Sequence, residues 1–448
     1  MEYIKDFNNK DTIIVISDYP EQRRKGEKNY GIAWYTKTLI EPISKKYNKR
    51  FVVFAEKVQG GDNSPKLYAN GRILVLRIFD QKHPSLFPII LKWLFKFDNV
   101  KYVQVHSEFF VNGGIKNFAL LLPFILLIKL TRKHITYFSH NVVTNLDFIA
   151  KHFGLSRDSL KLKIFNLGLK TMYRSLGFIV NKFVVMDEVI YDRLSKYVNP
   201  EKIVLNRFWL DKITTKETVS ESKNKIGVKK DEFVLLYFGF VSYYKGADWI
   251  INSIKKLREN NEFKNVRLVI AGGEAYSLKH EKHYQEYYKE LVKNASHDKG
   301  IKITGFVPEE DIPTYFQAAD LVVFPYRGLI GGSGCFSHAI TYGKPFILSS
   351  KMSKMLKNDD IEILMDKFGL KNKDIAFNFN LDSFGKLIKK TQEKSFNKVL
   401  TEFSTTLGET RNSSNLIAKA NETIFEINDK PRFSINIKAA YALIQDRV

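Results

Sequence analysis

The chain has 448 residues, 44% of them hydrophobic, and its 71 Lys and Arg against 48 Asp and Glu give a formal net charge of +23. That length exceeds one ordinary domain and points to two of about 200 residues each, while a single cysteine, Cys335, excludes a disulfide framework. Without zinc-type cysteine pairs or an aromatic RNA-binding consensus, nucleic acid has only charge to recommend it and is not expected as a partner; the basic excess reads equally as a generally solvated surface or as a match for an anionic membrane surface or a phosphorylated substrate.

The N-terminus, MEYIKDFNNKDTIIVIS, carries no charged-then-apolar leader, so a cytoplasmic setting is expected. Thr12–Ser17 reads as a buried strand and Ile32–Ile43 as a helix; Phe51–Ala55, Ile73–Leu76, Tyr102–Val105 and Ile135–Ser139 continue the strands. Phe118–Ile128 is the longest apolar run, interrupted by Pro123. It is too short to cross a bilayer, which takes roughly 20 residues, and is expected to be a core helix. Phe178–Val185 reads as a strand leading into a helix capped by Asp187. Residues 211–232 are polar and aperiodic, the composition of an interdomain connection.

The alternation then restarts with strand Phe233–Phe238, helix Trp249–Leu257, strand Val266–Ala271, helix His283–Asn294 and strand Ile301–Thr304. A helix opening at Pro308 precedes the apolar strand Leu321–Phe324, a glycine-rich loop runs from Gly328 to Gly334, and the helix Phe336–Tyr342 stops at Gly343-Lys344-Pro345. Alternation of this kind predicts an α/β fold of two facing Rossmann-like domains, each a parallel sheet covered by helices. Their bounds are 1–210 and 233–405, followed by a helical tail, 406–448, expected to pack back toward the first domain. Strand, glycine loop and helix N-terminus together aim free backbone N–H groups at an anion, so Ser333, Gly334 and Cys335 are expected to hold a phosphate or diphosphate in the cleft. Gly332–Ser337 misses the dinucleotide fingerprint, ending in serine and lying well past its strand, which disfavours a nicotinamide enzyme.

The segments YFGFVSYYKGADWII, VRLVIAGG, ITGFVPEEDIPTYFQAADLVVFPY and SGCFSHAITYGKPFI, in that order, resemble the nucleotide-binding domain of retaining GT-B glycosyltransferases, family 4 above all. The first half is similar more faintly, in NYGIAWYTKTL, YFSHNVV and NKFVVMDEVIYDRL. The resemblance implies a metal-independent transferase that moves a sugar, with retention, from a nucleoside-diphosphate sugar to a glycan or lipid-linked acceptor in surface polysaccharide or glycoconjugate synthesis. No cofactor is implied beyond the donor substrate. His140 and Lys245 take the catalytic positions, and Gly239, Lys245, Ser333, Gly334 and Cys335 the diphosphate site. Gly305, Phe306, Val307 and His338 fall to the nucleoside, and Tyr30, Gly31, Arg23 and Arg24 to the acceptor side. For Phe306 the side chain itself is expected to fill core. Departures from the pattern are Ile330 and His338 where many members carry paired glutamates, and Phe240 and Ser242 where an arginine meets the phosphate. They keep open a nucleotide-sugar binder without transfer, or an epimerase on the same fold.

Overall fold

The computed structural model describes residues 2–412 apart from 21–29, 81–82, 84, 108–114, 148–149, 151–158, 208–213 and 276–277. Fourteen strands in two sheets organise them. The first sheet contains β1 (Thr12–Ile16), β2 (Arg50–Glu56), β3 (Lys66–Tyr68), β4 (Ile73–Phe79), β5 (Tyr102–Ser107), β6 (His134–Ser139), β7 (Lys182–Val185) and β8 (Ile203–Leu205), in the order β3-β4-β2-β1-β5-β6-β7-β8. Only β3 runs antiparallel, against β4. The second sheet is parallel throughout: β9 (Phe233–Phe238), β10 (Val266–Ala271), β11 (Ile301–Ile303), β12 (Leu321–Phe324), β13 (Phe346–Ser349) and β14 (Ala376–Phe377), ordered β11-β10-β9-β12-β13-β14. Strands β1, β4, β12 and β13 are buried along their whole length, as continuous apolar sequence requires when helices cover both faces. Two Rossmann-like α/β domains, the GT-B architecture, result.

Three expectations need correction. Phe178 and Ile179 end the helix Leu160–Ile179, and the strand begins only at Lys182, because Val180 turns to extended backbone as the helix cap. The run Phe118–Ile128 lies in the helix Ile115–Leu130, yet only its inner side is core: Leu121, Phe124, Ile125 and Ile128 are buried while Leu120, Leu126, Leu127 and Leu130 are exposed. Within 211–232, residues Val219–Lys225 form a helix fastened by a Thr218–Glu221 capping box. That helix packs on Ile312–Ala318, and Lys223 pairs with Asp320 at 2.7 Å. The final described helix, Lys394–Asn412, runs unbroken through residue 405; the rest of the expected tail, 413–448, lies outside the described residues.

The domains meet along one seam at the carboxyl ends of their strands. Asn141, after β6, forms an antiparallel bridge with Gly331 of the glycine-rich loop. A Cβ on Gly331 would lie 2.6 Å from His140 O, so only glycine allows this approach. Asn358 donates to the Asp187 carboxylate at 3.0 Å. Arg207, just beyond β8, pairs with Glu188 and lies 3.6 Å from Asp360, which Arg411 grips at 2.6 and 3.0 Å.

Candidate active site

The glycine-rich loop ends in the helix Gly334–Thr341, which starts two residues before the sequence pattern suggests. Ser333 caps it, its hydroxyl accepting from Phe336 N at 3.2 Å, so the Gly334 and Cys335 amides belong to the open first turn. Opposite this turn, β9 is followed by Gly239, whose φ of +106° suits glycine and whose missing side chain leaves room: a Cβ there would sit 2.5 Å from Cys335 Sγ and 3.2 Å from Lys245 Nζ. Lys245 reaches the same place from the short turn Tyr243–Lys245, its ammonium 3.7 Å from Cys335 Sγ and 5.7 Å from the centre of the Tyr326 ring. An ammonium group and helix-tip amides thus converge on one pocket of about 110 Å³, lined also by His140, Asn141, Ile330, Gly331, Gly332 and Ser333. Such a combination of dipole end and fixed charge favours a diphosphate.

His140 enters from the first domain. Its Nε2 lies 3.2 Å from His106 Nδ1, its ring stands edge-on to Tyr35 at 5.1 Å, and Tyr35 is held by Asn206. His106 stacks flat on Phe138 at 4.3 Å. Burial pushes His140 down to about 3, and burial followed by the neighbouring imidazole drives His106 well below the usual histidine range. Both rings are therefore neutral near pH 7, so His140 can offer a hydrogen bond but brings no positive charge to the cleft. On the far side of this pair a second pocket opens between the helices Leu86–Phe95 and Ile115–Leu130. Its walls are apolar (Phe79, Leu86, Phe87, Ile90, Leu121 and Phe124), and its floor holds Ser17, Asp18, His106 and Ser107. The two histidines form a shared partition between a polar and an apolar pocket.

The remaining predicted residues are placed unevenly. Gly305, with φ of +75°, lies two residues past β11, and Val307 is buried, but Phe306 is 42% exposed and faces the Phe240 ring at 6.4 Å, so its side chain does not fill core as expected. The turn projects past the strand end, where Gly273 allows Phe306 N to approach closely. His338 is absent from the described lining of the pocket beside Lys245; its ring packs among Phe238, Phe316 and Tyr342, and burial pushes it down to about 4. Gly31 is exposed at the start of the helix Tyr30–Lys46, with open space around it, next to Ile32 of the apolar pocket. The Tyr30 side chain and Arg23 and Arg24 lie outside the described residues. Ile330, at the first glutamate position, is 5% exposed and packs in the first domain's core. Among the described residues, no group of three His, Cys, Asp or Glu side chains gathers at one point.

Sequence reading missed Arg193. Extending from the helix Glu188–Leu194, its guanidinium donates to Leu329 O at 2.6 Å, Ile330 O at 3.2 Å and Val142 O at 3.3 Å, clamping the glycine-rich loop to the first domain. Arg193→Ala is expected to weaken nucleoside-diphosphate binding about tenfold by freeing the loop, since hydrogen bonds from a charged donor contribute roughly 1.5–3 kcal/mol. Calorimetric titration checks this, and unchanged affinity would show that the loop holds its shape unaided.

The depressed histidines also set an acid limit. Neutral when folded and ordinary when unfolded, His106, His140 and His338 bind more protons in the unfolded chain. Their contribution is complete above about pH 6.5 and falls away below it, each adding a slope of up to about 1.4 kcal/mol per pH unit. Denaturant titrations from neutral pH down to about pH 5 are expected to show that decline, with a shallower slope in His338→Gln.

Comparison with known proteins bears on the family and the fold. Residues 218–356 match the family model described as Glycosyl transferases group 1. An uncharacterized glycosyltransferase of Methanocaldococcus jannaschii is 27% identical over 157 residues, 34% of each chain, and a second from the same organism is 22% identical over 255 residues, 54% of this chain and 56% of its own. The matched stretches thus span about a third to a half of those relatives. HepE of Anabaena, solved with UDP and glucose, superposes with a TM-score of 0.63 at 14% identity, covering 93% of this chain and 99% of its own. Sucrose-phosphate synthase from Thermosynechococcus elongatus gives 0.65 at 14% identity, with the same coverage. At these identities the structural likeness establishes the fold.

Proposed function

We propose that this chain is a glycosyltransferase that moves a sugar, with retention and without a metal, from a nucleoside-diphosphate sugar to a hydroxyl acceptor. The observation that supports this most is the convergence of Lys245, the Gly239 turn and the open first turn of Gly334–Thr341 on a pocket walled by His140. As the anomeric bond breaks, charge grows on the leaving diphosphate; the Lys245 ammonium and the Gly334 and Cys335 amides stand fixed where it develops. Neutral His140 would hydrogen-bond the transferred sugar. The acceptor, a glycan or a lipid-linked hydroxyl, would approach from the first domain, where the pocket ending at Asp18 and His106 abuts the same histidine. Closure of the seam keeps water from the reacting carbon. The UDP and glucose bound to HepE favour a uridine donor as the first to test.

Ile330 supports a second reading, a protein that binds nucleotide sugar without transferring it, because an apolar group packed into the first domain replaces a carboxylate of the pattern. A thermal-shift screen with UDP, GDP and ADP, followed by incubation of each matching sugar donor with lipid and glycan extracts, separates the two. Transfer requires one nucleotide to stabilise the protein and its donor to release nucleoside diphosphate only when acceptor is present. Stabilisation without release under any acceptor assigns the binding role, and no stabilisation by any nucleotide rejects both.

A further inference from the structure

The outer side of the first domain shows a feature that donor chemistry does not use. The helices Leu86–Phe95, Ile115–Leu130 and Leu160–Ile179 contribute their inner sides to one hydrophobic core. Their outer sides are apolar too. In Leu160–Ile179, the positions Leu160, Ile164, Leu167, Thr171, Arg174 and Phe178 recur at i, i+4, i+7, i+11, i+14 and i+18, one stripe opposite the buried Leu162, Leu169, Met172 and Leu176. Leu160 is 72% exposed and Phe178 87%. The adjoining helix exposes Leu120, Leu126, Leu127 and Leu130, and the third ends in Phe95, 68% exposed. Among the described residues, nine of the fifteen exposed large hydrophobics fall between Phe95 and Phe178, so the exposure is concentrated well beyond the scatter of single residues that any surface carries.

Charge indicates what covers this face. The three helices contain no Asp or Glu, in a chain where those residues number 48. Lys161 and Lys163 lie exposed beside the stripe of Leu160–Ile179, with Arg174 within it and Lys170 half-exposed at its edge; Lys92 lies near Phe95. An apolar stripe bordered by lysines that can reach upward is the pattern of a helix lying in a bilayer surface, with stems along the acyl boundary and ammonium groups among anionic headgroups. A second copy is the poorer occupant: face-to-face packing would oppose two basic rims in a chain of net charge +23, whereas anionic lipid neutralises them. None of the described helices is long and apolar enough to cross a membrane, so the contact would be with one leaflet. The apolar pocket, by contrast, is lined by the buried inner sides of Leu86–Phe95 and Ile115–Leu130 together with Asp18 and His106.

We propose that the outer face of these three helices docks the protein on an anionic lipid bilayer. The docking itself does not depend on the transferase reading. The test is co-sedimentation of the full chain with phosphatidylcholine vesicles containing or lacking phosphatidylglycerol. Binding is expected to be about tenfold or more tighter to the anionic vesicles and to weaken as salt is raised. Leu130→Glu with Leu167→Glu should reduce binding at least about tenfold, since both charges would enter the acyl boundary. Lys161→Ala with Lys163→Ala and Lys170→Ala, which keeps the stripe, should erase the preference for anionic lipid. Nucleotide-induced thermal stabilisation, read in parallel, should be unchanged in both variants; it certifies folding and reports on the donor site separately. Equal binding to the two vesicle types, binding unaffected by either variant, or a light-scattering dimer that the glutamates dissolve without vesicle binding would each overturn the proposal.

Discussion

Asp360→Ala is expected to cost about 3–5 kcal/mol of stability, because it strands buried cations. Asp360 is 2% exposed and takes a two-pronged bond from Arg411 at 2.6 and 3.0 Å, with Arg207 Nε 3.6 Å away. Burial works against its ionisation, but Arg411 and Arg207 outweigh it and hold the carboxyl below the usual aspartate range. Removing the carboxylate leaves Arg411 desolvated and deprives Arg207 of its second anion. Since Arg207 follows β8 of the first domain and Arg411 sits in the helix Lys394–Asn412 of the second, the loss should also loosen the seam. Urea titration measures the cost. Adding Arg411→Met to Asp360→Ala should destabilise less than the sum of the two single changes, since both side chains belong to one buried ion pair. By contrast, Lys389→Ala, which breaks the exposed Lys389–Glu262 pair at 3.0 Å, should change stability by no more than about 0.5 kcal/mol. Equal effects at the two sites would mean that burial of the Asp360 pair carries no weight.

Lys245→Ala is expected to lower kcat/KM for sugar transfer by about 100-fold, the scale of losing one preorganised charge from a developing anion. The fold should survive, because the side chain is half-exposed in a short turn and the strands beneath keep their partners. Since leaving-group charge is greater in the transition state than in the bound donor, the loss should fall on kcat at least as much as on KM. Cys335→Ala removes the Sγ 3.7 Å from Lys245 but leaves the backbone amide, so it should retain most activity. An active Lys245→Ala enzyme would shift the electrostatic role to groups other than this ammonium.

The second domain was readable because its strands are buried on both sides and end in loop-forming residues, so apolar runs and loop signals coincide at Phe238–Gly239, Ala271–Gly272 and Phe324–Pro325. The helix Leu160–Ile179 escaped notice for a physical reason: Leu160, Ile164 and Leu167 are apolar on the outer side, which blurs the period that distinguishes one face from the other. The same outward leucines made Phe118–Ile128 look like interior. Lys245 and Cys335 follow strands in recognisable order and could be found locally. Arg193 could not, because the carbonyls of Leu329 and Ile330 that it binds lie 136 and 137 residues further along the chain, and no local pattern marks a guanidinium that supports backbone. Phe306 was misjudged because an aromatic residue after a strand reads equally as core or rim, and only the projecting turn decides between them.

One ammonium and the open turn of a helix are proposed to hold a diphosphate between the two domains, and a crystal structure with the nucleoside diphosphate that stabilises the protein most would show it. Phosphate oxygens are expected within hydrogen-bond distance of Lys245 Nζ and of the Gly334 and Cys335 amides, with His140 facing the open phosphate end. A nucleotide bound elsewhere, or one whose phosphates avoid Lys245 and that helix turn, would refute the assignment.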